Sequence, residues 1–224
     1  MEYAQARLQA RYGAHPVEAQ WRQLGVHRDF AAYLAAARAM PFANWLAGIE
    51  DSAGPHEIER ALRRLWRSSV AEVARWMPAE WNPAARWVAT LIDLPAFAHR
   101  ERGGALPKGI ELDHRLAALA DGKANLEQWQ AHWVRLWPEG RETDRAELKQ
   151  LADRLRRHLA DFAQRDAAAA WETRRALRTR MVYAFRRSAL QPVAALLFLL
   201  LLALDLERLR ADLMLRALRR RRLP

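Results

Sequence analysis

Apolar residues recur along the chain at the three- and four-residue spacing of an α-helix, and runs in strict apolar–polar alternation are nearly missing. This pattern predicts an all-α, multi-helical fold. Proline and glycine divide the first part of the chain into short helices, expected at 3–12, 16–26, 28–40 and 42–49. A longer helix is expected to begin at an Asp51-Ser52 cap, with Pro55 in its first turn, and to end at Met77.

This longer helix has two contrasting faces. Its apolar stripe includes Ile58, Leu62 and Trp66, which recur at helical spacing and are expected to face the core. The opposite face, expected to contact water, carries the arginines Arg60, Arg63, Arg64 and Arg67.

A segment rich in glycine separates two parts of the chain. Three glycines and one proline lie between Glu101 and Glu111, a composition typical of a connector. The segment is not a phosphate-binding loop, because it lacks a terminal Gly-Lys-Ser/Thr and no strand precedes it. We therefore expect two helical-bundle units, 1–102 and 113–224, the second with long C-terminal helices.

The second unit is expected to contain a short helix from Asp113, a helix from Asn125 to Trp137, and a long helical stretch over 142–189. That stretch is either one helix or two. Only the alanine run 167–170 marks an interior break.

The last segment begins with twelve consecutive apolar residues, 193–204. A membrane-spanning helix needs about 20 such residues, whereas a run of about 10–14 is typical of a helix in a protein core. Charged residues follow at once from Asp205 and make the continuation amphipathic. The pattern favours a buried apolar helix over 190–206, with insertion of 189–206 into a membrane and docking at its surface as alternatives.

The positive charge is concentrated near the C-terminus. The chain has a net charge of +11, and the part from Glu172 to Pro224 holds thirteen arginines against four acidic residues. Its basic end, 216–224, includes the run Arg219, Arg220, Arg221 and Arg222. This run fits a solvated helix end, an anchor to anionic headgroups or a nucleic-acid tail. Nucleic acid is the least favoured partner, because interleaved aromatic residues and a second basic patch are missing near the tail.

Residues for catalysis or metal binding are scarce. Without cysteine the chain has no disulfide, thiolate nucleophile or cysteine-ligated metal, and it lacks His-Glu-x-x-His and Gly-x-Ser-x-Gly. Its Glu-x-x-His sequence, Glu111 to His114, is single, whereas a di-iron bundle requires two. We predict no catalytic residue, cofactor or metal site, and a protein that is not an enzyme.

Ten tryptophans are the unusual feature of the composition. Trp129, Trp133 and Trp137 share one helical face. Because tryptophan combines a large apolar ring with a polar N–H, these rings fit either the core or an interface with a partner.

The order of several short patterns resembles the C/d family of central-stalk connectors in V-type and archaeal-type rotary ATPases. The start Tyr3-Ala4-Gln5-Ala6-Arg7-Leu8-Gln9-Ala10 is similar to the start of that family, and the segment 28–38 is similar to the helix that opens each of its repeats. Glu57-Ile58-Glu59-Arg60-Ala61-Leu62 and Ile92-Asp93-Leu94 resemble later family segments. Near the end, Asp205-Leu206-Glu207-Arg208-Leu209-Arg210, after Pro192 and the apolar run, resembles the family's acidic-hydrophobic-x-Asn-Leu-Arg motif, with Arg208 in place of asparagine.

The resemblance implies a mechanical role without catalysis, as the connector between the rotor axle and the membrane rotor ring. Its partners would be the axle, the proteolipid ring and the cytoplasmic membrane surface. The location would be cytoplasmic, peripheral on the inner face of the membrane, in agreement with an N-terminus that shows no targeting segment. The expected partner contacts are Arg208, Arg210, Trp129, Trp133, Trp137, Arg219, Arg220, Arg221 and Arg222.

Overall fold

The computed structural model describes residues 1–101, 103–106, 113–119, 126–139, 142–163 and 167–222. These residues form α-helices and short 3₁₀ segments, with no strand among them. The all-α prediction is confirmed.

The first part of the chain forms helices α1 (Glu2–Gly13), α2 (Glu18–Gly25), α3 (Phe30–Arg38), α4 (Pro55–Trp76), α5 (Asn82–Trp87) and α6 (Leu94–Glu101), with 3₁₀ turns at 43–46, 79–81 and 88–93. Helix α3 begins at Asp29, whose carboxylate accepts a hydrogen bond from the Ala32 N–H at 2.9 Å. The expected Asp51-Ser52 cap of α4 is wrong. Pro55 occupies the first helical position, so the cap is Gly54, whose N–H donates to Glu57 Oε2 at 2.6 Å.

The later part forms a 3₁₀ turn at 114–118 and helices α7 (Leu126–Arg135), α8 (Glu142–Ala163), α9 (Ala167–Arg187) and α10 (Pro192–Arg222). The stretch 142–189 is therefore two helices. The alanine run lies at the start of α9.

Helix α10 lies in the middle of the fold. In its apolar half, 193–204, every residue from Val193 to Leu202 except Leu200 is at most 4% exposed. The helix packs against α9, α4, α1, α3 and α8. The prediction of a buried apolar helix is confirmed for most of 193–202. The predicted start at 190 is wrong, because α10 begins at Pro192 and Leu190 is exposed in the turn before it.

Among the described residues, no helix is long and apolar enough to cross a membrane. The alternative in which 189–206 inserts into a membrane stays a prediction. In this fold, most apolar side chains of 193–202 are covered by the other helices of the chain.

Buried residues on both sides of the expected connector belong to one hydrophobic cluster, which runs from Leu8 in α1 to Ala217 in α10. Helix α10 of the second unit contacts α1, α3 and α4 of the first. Residues 107–112 of the connector lie outside the described part of the chain. The division into units 1–102 and 113–224 stays a prediction.

Candidate interaction surface

The polar half of α10, 205–222, carries the Asp-Leu-Glu-Arg-Leu-Arg sequence and the basic end. Its charged side chains reach α9 and the region from α1 to α4. These contacts decide which of the expected partner contacts are open to a partner.

Asp205 is buried, with 1% of its surface exposed. Its Oδ2 lies 3.1 Å from His15 Nδ1, just after α1. Arg178 of α9 donates to the same carboxylate from Nε at 2.7 Å and from Nη2 at 3.2 Å. Burial disfavours the charge of Arg178, but hydrogen bonding to Asp205 and the charge of Asp205 outweigh burial, so the pKa of Arg178 is raised.

The His15 ring is enclosed by aromatic neighbours. Its centroid lies 5.6 Å from the Tyr12 ring, 5.2 Å from the Trp45 ring and 5.4 Å from the Phe198 ring. The polar group His15–Asp205–Arg178 therefore joins α1, α9 and α10 inside an apolar shell. A buried charge in such a place is tolerated because both carboxylate oxygens have partners.

The next residue pair joins α9 and α10 again. Glu207 accepts a hydrogen bond from Arg174 at 2.7 Å. Burial and the positive charge of Arg210 lower the pKa of Arg174 to about 10. Arg174 is thus close enough to Arg210 to feel its charge, and each of the two binds a carboxylate of the chain.

Arg208 binds Glu18 at the start of α2. Its Nη1 and Nη2 donate to the two carboxylate oxygens at 2.7 and 3.1 Å, and the guanidinium lies 4.5 Å from the centroid of the Trp21 ring. The hydrogen bond from Arg208 lowers the pKa of Glu18 against a smaller opposing effect of burial. Arg208, expected to contact a partner, is used within the chain.

Arg210 begins a network of charges that passes through α4. Its Nε donates to Glu59 Oε2 at 2.5 Å, and Glu59 also accepts from Arg63 Nε at 2.8 Å. Asp93 has no exposed surface, and each of its carboxylate oxygens accepts a hydrogen bond. Arg63 donates to Oδ1, and Arg67 Nη2 donates to Oδ2 at 2.9 Å. Burial raises the pKa of Glu59, but the hydrogen bonds and charges of Arg210 and Arg63 outweigh it and leave the pKa lowered.

This network corrects the predicted faces of α4. Arg60 and Arg64 are exposed as expected, but Arg63 and Arg67 are only partly exposed. The reason is Asp93, which lies buried beneath both guanidinium groups. Arg63 and Arg67, expected to contact water, therefore bind a buried carboxylate that is about 30 positions away in the sequence.

The last turns of α10 bind the region between α2 and α4. Arg216 Nε donates to the His27 carbonyl at 2.8 Å, and its guanidinium lies 4.1 Å from the centroid of the Tyr33 ring. The Tyr33 hydroxyl donates to Asp212 at 3.2 Å, and burial and the charge of Asp212 raise the pKa of Tyr33.

The arginines of the basic end differ in their contacts. Arg220 donates to the carbonyls of Asp51, Ser52 and Ala53 and lies over the Phe30 ring. Arg219 is exposed. The side chains of Arg221 and Arg222 lie outside the described residues.

Trp129, Trp133 and Trp137 lie inside the fold, 1%, 3% and 7% exposed. Successive ring centroids are 5.5 and 5.3 Å apart. Trp129 Nε1 donates to Thr90 Oγ1 at 2.7 Å, and Trp133 Nε1 donates to the Ala84 carbonyl at 3.0 Å. Their burial agrees with core packing of α7 and of the turn after it, which holds Trp137, and a surface partner has no access to them in this fold.

Within the described part of the chain, no group of three or more His, Asp or Glu residues could hold a metal ion. Glu111 of the Glu-x-x-His sequence lies outside that part, and His114 is exposed. An apolar cleft lined by Trp129, Trp133 and Leu196, among others, leaves about 10 Å³, the room of a single water-sized group.

Comparison of the chain with models of protein families, with curated proteins and with solved structures finds no match. Membership of the C/d connector family of rotary ATPases therefore stays an expectation that depends on the short sequence patterns alone.

Proposed function

We propose that this chain is a non-catalytic central-stalk connector of a V-type or archaeal-type rotary ATPase, linking the rotor axle to the proteolipid ring at the cytoplasmic membrane surface. The observation that carries this proposal is the packing of the two ends that resemble the family. Tyr3 to Ala10 lie in α1 and Asp205 to Arg210 lie in α10, and these two helices are in contact.

Specific bonds accompany that packing. The Gln5 side chain accepts a hydrogen bond from the Leu190 N–H at 3.1 Å, immediately before α10. His15 lies 3.1 Å from Asp205 across 190 positions of sequence. Each bond joins one pattern to a residue near the other, and the contact between α1 and α10 is what brings the two patterns into one structural unit.

The contacts of α10 suit a part that transmits torque. The helix has 31 residues, which corresponds to about 45 Å at 1.5 Å per residue. Its apolar half is enclosed by other helices, and its polar half is bonded at Asp205, Arg208, Arg210 and Arg216 to separate elements. Close packing with many fixed polar contacts resists bending, so force applied at one end reaches the other.

The first test is gentle purification of the tagged full chain from its own cells, with identification of co-eluting proteins by mass spectrometry. We expect the catalytic ATPase subunits and a small proteolipid of the rotor ring. A chain recovered alone, or with nucleic acid alone, would contradict the proposal.

A charge reversal sharpens this test. Glu18→Arg and Arg208→Glu each place like charges opposite one another, and the double variant restores the pair with opposite polarity. If Arg208 acts only by binding Glu18, both single variants lose ATP-driven ion transport and the double variant recovers it. If Arg208 contacts another protein of the rotor, the double variant stays defective while its thermal stability recovers.

A further inference from the structure

The turn between α9 and α10 contains a leucine in an unfavourable place. Leu190 has φ of +65°, in the left-handed region that favours glycine, and 53% of its surface is exposed. Its N–H bond to Gln5 would form equally well with glycine at this position. The strain is therefore not offset by burial or by a bond of the side chain, which points to a use outside the fold.

The residues around Leu190 are both apolar and basic. Tyr183 is 64% exposed and lies under the Arg187 guanidinium, with 5.7 Å from Cζ to the ring centroid. Arg186 is also exposed. In the described residues neither Arg186 nor Arg187 forms an ion pair with a carboxylate. We name Tyr183, Arg186, Arg187 and Leu190 the α9–α10 corner.

A similar pair lies on α1, where Tyr3 is 60% exposed and Arg7 lies 5.4 Å from the centroid of its ring. Gln5, which accepts the bond from Leu190, lies between them in sequence but on the opposite, buried face of α1. This pair therefore points away from Leu190, and the docking surface consists of the α9–α10 corner alone.

We infer that the α9–α10 corner docks on the anionic surface of a membrane. Arginines are attracted to anionic headgroups, and tyrosine and leucine side chains gain by entering the boundary between headgroups and acyl chains. Nucleic acid would also be bound by stacking on the tyrosine and by the charge of the arginines. The exposed, strained leucine would contribute neither stacking nor charge. Of these two partners, lipid is the one that uses all three residue types of the corner.

This inference assigns an orientation to the proposed connector, and the orientation rests on that proposed function. Leu190 precedes the first residue of α10, whereas Arg219 lies near the last, about 45 Å away along the helix. The corner would face the membrane and the basic end would face the stalk. We therefore assign the contacts with lipid headgroups to the α9–α10 corner, and not to the arginine run 219–222 at the opposite end of the helix.

The test uses the purified full chain and sedimentation with vesicles of phosphatidylcholine alone or mixed with phosphatidylglycerol. We expect binding to the mixed vesicles, weakened about thirtyfold in the double variant Arg186→Gln/Arg187→Gln. The control double variant Arg28→Gln/Arg219→Gln removes the same charge from exposed positions at the other end. It should bind like the native chain.

Leu190→Gly separates docking from folding. It should weaken vesicle binding several-fold while the melting temperature stays equal or rises, because glycine relieves the left-handed strain. Leu218→Ala, at a leucine of similar exposure near the other end of α10, should leave vesicle binding unchanged.

Three results would overturn the inference: no preference for the anionic vesicles, equal weakening by both double variants, or corner-dependent binding of an oligonucleotide without vesicle binding. None of them bears on co-purification with rotor proteins, since the vesicle assay contains the chain alone. Conversely, vesicle binding by a chain that does not co-purify with those proteins would overturn the proposed connector and its orientation but keep the lipid surface.

Discussion

The two halves of α10 are held by different forces although they form one continuous helix. The apolar half is buried on almost every side. The polar half buries one apolar stripe, which includes Leu209 and Leu213, and on its other faces it is bonded to α9, α2, α4 and the turn after α2. Burial of a leucine contributes about 1.5–3 kcal/mol, while an exposed ion pair contributes about 0–1 kcal/mol. The half with more buried leucines therefore contributes more of the stability.

The polar half defines the orientation of α10, which the apolar half defines only weakly. A helix that is apolar on every side has similar burial in several rotations about its axis, so its contacts define its orientation weakly. Each charged pair has one partner and one geometry. We infer that the polar contacts set the rotation and the axial position of α10, a property that the proposed role as a connector needs.

The largest expected effect is in the apolar half. Leu199 has no exposed surface, so Leu199→Ala should lower the free energy of unfolding by about 2–5 kcal/mol through lost burial and the cavity left behind. Urea denaturation measures this change. Leu215→Ala, on the same helix but half exposed, should change stability by less than about 0.5 kcal/mol. Equal effects at the two positions would contradict the burial of Leu199 in the folded chain.

The next effect is at the junction of the halves. Asp205→Ala leaves His15 and Arg178 without their shared carboxylate, at a cost of about 2–3 kcal/mol, since Arg178 is partly exposed and regains some contact with water. Denaturation gives the cost, and near-ultraviolet circular dichroism reports the packing of the Tyr12, Trp45 and Phe198 rings around His15. A loss of stability with an unchanged aromatic spectrum would argue against a role of Asp205 in positioning α10.

This difference between the halves also explains what the sequence could predict. Helical spacing and an apolar run are local patterns, so they correctly predict the all-α fold and the burial of most of 193–202. The helices expected at 42–49 and from Asp113 are only 3₁₀ turns, at 43–46 and 114–118. The partners of charged residues are not local. His15 and Asp205 are 190 positions apart, and the sequence around either residue does not indicate that the other is its partner.

A signal for Asp205 was nevertheless present. Leu201 and Leu209 lie four residues to either side of it, and both have no exposed surface. A carboxylate on such a stripe predicts a buried cationic or hydrogen-bonded partner, although not its identity. Asp93 shows the same limit, because its effect on Arg63 and Arg67 depends on the tertiary packing of α4 against the 88–93 turn.

A smaller effect is expected at Glu59, and it depends on pH. The pKa of Glu59 is lowered in the folded chain, so its ionised form stabilises the fold at pH values above the ordinary carboxyl pKa. Glu59→Gln should cost about 1–2 kcal/mol at neutral pH, reduced by the exposure of Arg210. As the pH falls through the lowered pKa, the difference between native and variant stability should shrink. A difference that stays constant through this range would contradict the ionised role of Glu59.

The smallest effect compares two arginines of the polar half. Arg208→Lys keeps the charge but loses the paired hydrogen bonds to Glu18 and the contact with the Trp21 ring, which should cost about 0.5–1 kcal/mol. Arg219→Lys, at an exposed position, should cost nothing measurable. Thermal denaturation at low and high salt distinguishes the causes: the part due to charge falls with salt, whereas the part due to geometry persists. Since lysine and arginine have equal charge, a cost at Arg208 that persists at high salt would come from the planar guanidinium. Such a result would identify shape, and not charge alone, as what fixes the polar half of α10 to α2.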